Sequence, residues 1–270
     1  MSTAVRTPAV AGRFYPGDRE TLLRTLDSFL GEDSLPVHAI GCIAPHAGYI
    51  YSGGVAGAVY THVVIPQQCI VLCPNHTGMG PSLSIMSSGT WQTPLGEVSI
   101  DAGLAEGLKS RMSQLTEDQS AHYREHAIEV QLPFLQVRQD SLSFVPIAVG
   151  TSRFEVMERL GMVLAEICSA LPSSALIIAS SDMNHYESDA LTRMKDHLAI
   201  DRILELDARG LHDTVMKENI SMCGFGPTVA MLTAANALGA TKSELVQYAT
   251  SGDVSGDRDM VVGYAGMVVW

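Results

Sequence analysis

The chain has 270 residues, which is long for one small domain and short for two, so we expect one large domain with a sizeable core. Lys and Arg number 17 against 29 Asp and Glu, a net charge of −12 that, with no basic cluster, argues against nucleic-acid binding. The N-terminus lacks the apolar core of a secretory signal, and no apolar run approaches the roughly 18–20 residues that span a bilayer. We therefore expect a cytoplasmic protein with no membrane or nucleic-acid partner.

The first hundred residues alternate between helical periodicity and short apolar runs that end in proline. The predicted elements are an N-cap at Asp18 with the helix that follows it, a buried strand at 39–44, a helix of small residues at 52–60, a second buried strand in QCIVLCP, and strands at 83–86 and 96–100 separated by a turn in TWQTPLG. Short apolar runs without polar alternation are typical of strands that are buried on both faces of a sheet.

The remainder of the chain continues the alternation. Its predicted elements are a helix capped by Asp101, a helix at 125–132 that Pro133 limits or kinks, a strand at 143–149, a helix introduced by the capping-box spacing of Ser152 and Glu155, a buried strand in SALIIASSD, helices within 189–219, a helix opened by Pro227, and apolar runs at 244–249 and 260–269. This pattern predicts an α/β fold. We expect one domain over residues 1–270, with a central mixed or largely parallel sheet and helices on both faces.

Three histidines follow the ends of three predicted strands. They are His46 in CIAPH, His76 in IVLCPNH and His185 in IIASSDMNH. Ligands of α/β sheets bind beyond the carboxyl ends of parallel strands, so these side chains are expected to converge. Because histidine is the commonest metal ligand and a general base near neutral pH, the pattern predicts a functional site at this edge.

The five cysteines form an odd and sparse set, which is not the pattern of a disulfide framework and indicates reduced thiols. Cys42, Cys69, Cys73 and Cys168 fall on predicted buried positions and are interpreted as core residues. Cys223 differs, because it lies in the glycine turn SMCGFGP just before a helix begins. A thiolate at a helix N-terminus is expected to have a lowered pKa.

Two kinds of site can be built around Cys223. With His46 and His76 it forms a set of two nitrogens and one sulfur that suits Fe(II), Zn(II) or copper and leaves positions open for water or substrate. With His185 and Asp182 it forms a nucleophile, a base and an orienting carboxylate, as in a cysteine hydrolase or transferase. Asp182 precedes His185 by three residues and is also placed to orient its ring.

A third pattern is the H-x-x-E-H sequence of His122, Glu125 and His126, which is the inverted zinc-protease signature. On one helix the two histidines would share a face with the glutamate beside them. The motif is short and arises by chance. The chain has no nucleotide-binding P-loop, no G-x-S-x-G nucleophile elbow and no C-x-x-C pair.

Eight segments, in order along nearly the whole chain, carry a resemblance to a known family. They are RTPAVAGRFYP, APHAGYIYSG, PNHTG, TPLGEV, EHAIEVQLPFL, SSDMNHY, CGFGP and YATSGDVSGD. On these segments the chain resembles the Memo-like family, the B component of the AmmeMemoRadiSam system. The resemblance implies a fold similar to that of the class III extradiol dioxygenases, which hold non-heme Fe(II) with two histidines and a carboxylate.

The resemblance also implies roles for particular residues. His46 and His76 would occupy the two histidine positions, and Cys223 would be the third ligand in place of the carboxylate. His185 would be the catalytic acid or base with Asp182 beside it, and His126, which follows Glu125, would be a second histidine facing the pocket. The EHAIEVQLPFL match thereby displaces the protease interpretation of Glu125 and His126.

Three functions are open from the sequence. The first is a metal-dependent, dioxygenase-like oxidoreductase, with Fe(II) as the expected cofactor and copper or zinc as alternatives, because thiolate ligation shifts metal preference. The second is a non-catalytic protein that binds metal or peptide and partners the radical SAM enzyme and the AMMECR1-like protein of the named system. The third is a hydrolase with Cys223 as nucleophile. The substrate, a small molecule or a peptide, is not specified.

Overall fold

A large mixed sheet runs through the whole molecule. The computed structural model of the chain describes residues 4–31 and 35–270. Over these residues the strands are β1 (Val5–Arg6), β2 (Gly41–Ala44), β3 (Gln68–Pro74), β4 (Leu83–Ile85), β5 (Thr90–Thr93), β6 (Gly96–Ile100), β7 (Thr116–Glu117), β8 (Ser143–Val149), β9 (Ala175–Ser180), β10 (His185–Glu187), β11 (Ser243–Thr250) and β12 (Val261–Val269). They lie in the order β1-β5-β6-β8-β3-β9-β2-β12-β10, with β11 beside β12, and β4 beside β8 and β7.

The middle of the sheet is parallel. Strands β6, β8, β3, β9 and β2 pair in parallel in that order, and antiparallel pairs flank them, β5 with β6 and β12 with β2. The carboxyl ends of β3, β9 and β2 therefore lie side by side at one edge. This edge is where the sequence predicts the functional site.

Helices cover both faces of the sheet, as predicted. Over the described residues they are α1 (Arg19–Phe29), α2 (Tyr49–His62), α3 (Ala102–Arg111), α4 (Ser120–Tyr123), α5 (Leu132–Arg138), α6 (Phe154–Ser169), α7 (Asp189–Leu204), α8 (Ala208–Lys217), α9 (Phe225–Ala237) and α10 (Gly252–Ser255). Successive side chains of a strand point to opposite faces. Accordingly, Ile70 and Leu72 of β3 pack in a core with α3, α6 and α9, whereas Cys69 and Val71 pack in a second core with α1, α2 and α5.

Two of the predicted helix caps are present and one prediction is wrong. Asp18 accepts a hydrogen bond from the Thr21 backbone at 2.9 Å, and Asp101 caps α3 in the same way. The capping box at Ser152 is not formed. Helix α6 begins one residue later than that spacing requires, with Arg153 at the N-cap position and no side-chain cap.

Two predicted element boundaries are also wrong. Residues 125–132 are not one helix: a 3₁₀ turn at Glu129–Gln131 leads into α5, which begins at Leu132 and carries Pro133 in its first turn. Proline lacks only a backbone donor that a first turn leaves unused, so it opens this helix. TWQTPLG is not all turn, since Thr90–Thr93 forms β5 and pairs with β6 as a hairpin.

The N-terminal residues hold a loop against the sheet. The Arg6 side chain forms a buried ion pair with Glu129 and donates hydrogen bonds to the backbone oxygens of His122, at 3.0 Å, and Glu125, at 2.6 Å. The Tyr15 hydroxyl also donates to Glu129, at 2.7 Å. Four contacts from Arg6 and Tyr15 thus fix residues 122–129, the segment that carries Glu125 and His126 to the site.

Two sequence-based expectations concern the cysteines and the membrane. All five cysteines are free; Cys42, Cys69 and Cys73 are fully buried in strands, and Cys168 is half-buried on α6. None of the described helices combines the length and the apolar character needed to cross a membrane.

Candidate metal centre

The three strand ends bring the predicted residues together. His46 lies two residues beyond β2, His76 two beyond β3 and Asp182 two beyond β9, and these strands are neighbours. The ring centroids of His46 and His76 are 5.2 Å apart, and His46 Nε2 is 3.2 Å from Cys223 Sγ. One donor atom from each of His46, His76 and Cys223 lies within 4.8 Å of the others.

Hydrogen-bond chemistry assigns the proton on the His46 ring. His46 Nδ1 is 2.9 Å from Ser180 Oγ. The Ser180 hydroxyl donates its single proton to the Ala127 carbonyl at 2.7 Å and accepts a hydrogen bond from Gln131 Nε2 at 2.8 Å. The orientation of the Gln131 amide is fixed because Nε2 also donates to the Pro45 carbonyl. Ser180 must therefore accept from His46 Nδ1–H. The Nε2 lone pair of His46 is left free, facing Cys223.

A buried carboxylate determines which ring nitrogen of His76 carries the proton. Glu125 is fully buried; one of its oxygens is 2.9 Å from His76 Nδ1 and the other accepts from the His76 backbone at 2.7 Å. Burial disfavours the charged form of Glu125 and by itself would raise its pKa. The hydrogen bond from His76, the charge of His76 and the hydrogen bond from the Ala127 backbone outweigh burial, and they lower the pKa of Glu125 to about 2. A charged carboxylate only accepts, so His76 donates from Nδ1 and keeps Nε2 free for a metal.

The two histidines differ in their own pKa values. Burial, together with repulsion from His126 and His76, holds the pKa of His46 well below its ordinary range, so its imidazole is neutral. Burial also lowers the pKa of His76, but the hydrogen bond and charge of Glu125 outweigh this and raise it overall. Neutral imidazole is the form that ligates metals.

Cys223 is placed by a close contact between a turn and a strand end. The turn at Gly224 lies against β9: a Cβ there would be 2.4 Å from both the Ser180 carbonyl oxygen and the Ser181 Cβ, so only glycine fits. The Gly224 N–H donates to Ser181 Oγ at 3.0 Å. The expectation of a lowered thiol pKa is wrong, because burial and the nearby Asp182 carboxylate raise the pKa of Cys223.

The donor set fits a transition metal. Two imidazoles with fixed Nδ1 protons and one sulfur suit Fe(II), Zn(II) and copper, whose bonds to nitrogen and sulfur are roughly 2.0–2.3 Å. A second group of donors, His76, Glu125 and His126, lies equally close together. In that group Glu125 already accepts hydrogen bonds from His76 and Ala127, so its closeness is explained without an ion.

The three donors line a cavity of about 600 Å³. Among the described residues, its wall includes aromatic side chains, further histidines and one carboxylate, and no lysine or arginine. Beyond the three donors, the lining residues are Phe14, Ala47, Gly48, His126, Asp182, His185, Tyr186, Ser221, Val262 and Tyr264. His126 stacks on His76, with centroids 4.8 Å apart and rings 20° from parallel. A cavity of this size takes a small ligand or one side chain of a larger one.

The interpretation of Asp182 as the orienting group of His185 is wrong. Asp182 accepts from the His46 backbone N–H at 2.7 Å and so fixes the turn that presents His46. The His185 ring bonds instead to the Ser221 carbonyl, 2.9 Å from Nδ1. Asp182 faces the cavity without a hydrogen bond to the His185 ring, because it is committed to the end of β2.

Neither alternative arrangement from the sequence is assembled. Among the described residues no hydrogen bond joins Cys223 to His185; the sulfur contacts His46 and the Asp182 carbonyl. The H-x-x-E-H segment is not one helix, since α4 ends at Tyr123. The His122 ring is fully buried against Trp91, so it does not share a face with His126.

Sequence reasoning missed Ser180, Gln131 and Ser221, which orient histidine rings. Ser180 ends β9 and was visible as the first serine of SSDMNHY, but nothing local shows that its hydroxyl meets a ring 134 residues earlier. Gln131 stood in EHAIEVQLPFL without an assigned role. Its contacts with the Tyr60 hydroxyl and Ser180 exist only after helix and sheet have packed.

Fold and site together define an α/β protein with two histidines and one cysteine convergent at the carboxyl edge of its parallel strands. Comparison with known families finds that residues 6–268 match the family described as Memo-like protein. The chain belongs to the Memo-like family.

Relatives of similar length support this assignment. A MEMO1 family protein of Methanopyrus kandleri is 42% identical, with 97% of this chain and 98% of that one covered. A MEMO1 family protein of Methanosarcina mazei is 43% identical, with 98% and 99% covered. The solved structure of an uncharacterized Escherichia coli protein, JW3007, is similar with a TM-score of 0.56 and 12% identity, covering 84% of this chain and 98% of that one, which bears on the fold alone.

Proposed function

We propose that this Memo-like protein is a non-heme metal-dependent oxidoreductase that binds Fe(II), or copper, through His46 Nε2, His76 Nε2 and Cys223 Sγ. One observation carries the proposal: both histidines have hydrogen-bond partners at Nδ1, and one nitrogen of each ring lies within 4.8 Å of the cysteine sulfur, with His46 Nε2 at 3.2 Å. Second partners that fix ring orientation are typical of metal-binding histidines.

Residues that line the cavity would have separate roles in the reaction. Bound metal would supply a Lewis acid and, for iron or copper, redox chemistry. Three protein ligands leave coordination positions open to the cavity, which is where a substrate would lie. His185, whose ring also lines the cavity, would accept or donate a proton there. Phe14, Tyr186 and Tyr264 would exclude water from that space.

The charges of the residues that line the cavity indicate which ligands it would bind. Of the residues that the structure describes, Asp182 is the one carboxylate in the lining, and no lysine or arginine lines the cavity. An anionic ligand would therefore find counter-charge in the metal or in a protonated histidine, and not in a lysine or arginine. This charge distribution favours a neutral ligand that can donate a proton.

The test is metal analysis of protein prepared without oxygen. We expect about one iron or copper per chain in the wild type and in His212→Ala, a histidine outside the cavity that bonds to Ser152. We expect loss of metal in His46→Ala and Cys223→Ala, because each removes one of three ligands. Circular dichroism checks that each variant folds.

The result also separates the other functions. A folded wild type that takes up no iron, copper or zinc would refute the proposal. Iodoacetamide-sensitive activity without metal would favour the hydrolase, which the raised pKa of the Cys223 thiol argues against. Stoichiometric metal without turnover of any substrate would favour the binding protein.

A further inference from the structure

The carbonyl of Ser221 determines which nitrogen of His185 carries the proton. His185 Nδ1 lies 2.9 Å from the Ser221 carbonyl oxygen, and the His185 backbone N–H donates to Ser221 Oγ at 2.8 Å. A carbonyl oxygen only accepts, so Nδ1 carries the hydrogen. Nε2 has no hydrogen-bond partner among the residues that the structure describes, and the ring lines the cavity.

A buried amide fixes Ser221 in turn. Asn184 is 1% exposed, and its Oδ1 accepts from both the backbone N–H and the hydroxyl of Ser221, each at 3.0 Å. Asn184 is itself anchored: its backbone N–H donates to the buried Asp196 at 2.8 Å, and its amide nitrogen donates to Glu187 at 2.6 Å. The connection runs from the interior of α7 to the cavity wall.

The backbone beside His185 is also constrained. Tyr186 has φ 61°, in the left-handed region that residues other than glycine rarely adopt. The pairing of β10 with β12 shifts register between His185 and Glu187. Such conformations persist where surrounding contacts enforce them, and they are common at functional sites.

We propose that Ser221 and Asn184 are positioning residues that hold His185 as the Nδ1-protonated tautomer, so that Nε2 is the proton acceptor presented to the cavity. The role of the acceptor rests on the proposed function, whereas the tautomer stands on the hydrogen bonds alone. The proton would come from a hydroxyl, amine or thiol of the substrate and pass to Nε2, which makes His185 an imidazolium. A substrate of this kind fits a wall whose described residues include one carboxylate and no lysine or arginine.

The test reads the tautomer directly. We would label histidine nitrogens with ¹⁵N in the full chain, metal-free and with Zn²⁺, and record long-range ¹H–¹⁵N spectra, assigning His185 by its loss in His185→Gln. We expect a protonated Nδ1 and an unprotonated Nε2 in the wild type. His197, whose Nδ1 donates to the Arg193 carbonyl at 2.7 Å, is the internal control.

Variants of Ser221 decide the positioning role, because this residue is exposed and its replacement spares the core. Ser221→Ala keeps the carbonyl but removes the hydroxyl that accepts from the His185 backbone and donates to Asn184. The carbonyl is then held less firmly against the ring, and we expect the two His185 nitrogen signals to move toward averaged values while His197 stays unchanged. Ser221→Thr restores the hydroxyl and should restore the pattern. Asn184→Ala, if folded, should shift the signals further.

Two outcomes would overturn the proposal. These are a wild type with the proton on Nε2, and an unchanged His185 pattern in Ser221→Ala. Metal content separates this proposal from the proposed function. His185 is not a ligand, so Ser221→Ala should bind metal like the wild type; a metal-free protein with the expected tautomer contradicts the proposed function and leaves the tautomer standing.

Discussion

At the scale of single residues, the site depends on buried groups that do not line the cavity. Ser180 and Glu125 are fully buried and each meets a histidine Nδ1. The histidines that follow the strands, and the glycine turn that contains Cys223, can be predicted from the sequence because they lie beside apolar runs. Their partners were not, because a serine or glutamate shows its role only once the fold brings it to the ring. Glu125 was noted in the sequence, but its buried position makes it an orienting group for His76 rather than a group in the cavity.

Replacement of Glu125 tests this orienting role. Glu125→Gln keeps the size but removes the charge that pairs with His76, and we expect metal affinity to fall about 10–100-fold, the usual range for such partners. Zn²⁺ titration by competition with a chelator measures it. Glu106→Gln, which alters a surface carboxylate paired with Lys109, is the control. Equal affinity in the two variants would show that Glu125 does not support the metal.

At the scale of elements, the site is a product of strand order. Predictions of buried strands succeeded at β2, β3 and β9, whose apolar runs are unambiguous. The predictions are wrong at Thr90–Thr93 and at residues 125–132, where strand, turn and helix are set by distant contacts. The loop before α5 is held by Arg6, more than a hundred residues away, and β5 is a strand because β1 and β6 pair with it.

The turn before α9 offers a test at this scale. We expect Gly224→Ala to displace Cys223, since its Cβ would lie 2.4 Å from the Ser180 carbonyl oxygen, and to reduce both metal retention and the free energy of unfolding. Gly54→Ala is the matched control, because that glycine lies within α2 with open space beside it. There alanine should raise the free energy of unfolding by up to about 1 kcal/mol. Metal retention in Gly224→Ala equal to that of the control would contradict the close-contact argument.

At the scale of the whole molecule, one buried histidine links stability to pH. His122 is fully buried, its ring nitrogens have no hydrogen-bond partner among the described residues, and burial lowers its pKa to about 4. The unfolded chain binds this proton below about pH 6.5, whereas the folded chain does not until about pH 4. Stability contributed by neutral His122 is therefore present above 6.5 and lost as the pH falls through that window.

His122→Phe isolates this contribution. Between pH 6.5 and pH 4, protonation of His122 should lower the free energy of unfolding by about 3 kcal/mol, at 1.36 kcal/mol per pKa unit. Phenylalanine keeps a ring against Trp91 but does not titrate, so the variant should lack this pH-dependent loss. Urea unfolding at several pH values between 7.5 and 4 measures the difference. His197→Phe, at an exposed position of α7, should retain the wild-type acid dependence. Parallel curves for wild type and His122→Phe would refute the assignment.

The contact between His46 and Cys223 joins residues 177 positions apart. A chain emerging from the ribosome presents His46 and His76 long before β9 can pair between their strands, and the sulfur arrives later still. The two imidazoles alone form a weaker and less selective set of donors. The order of synthesis therefore delays a complete donor set until most of the polypeptide exists.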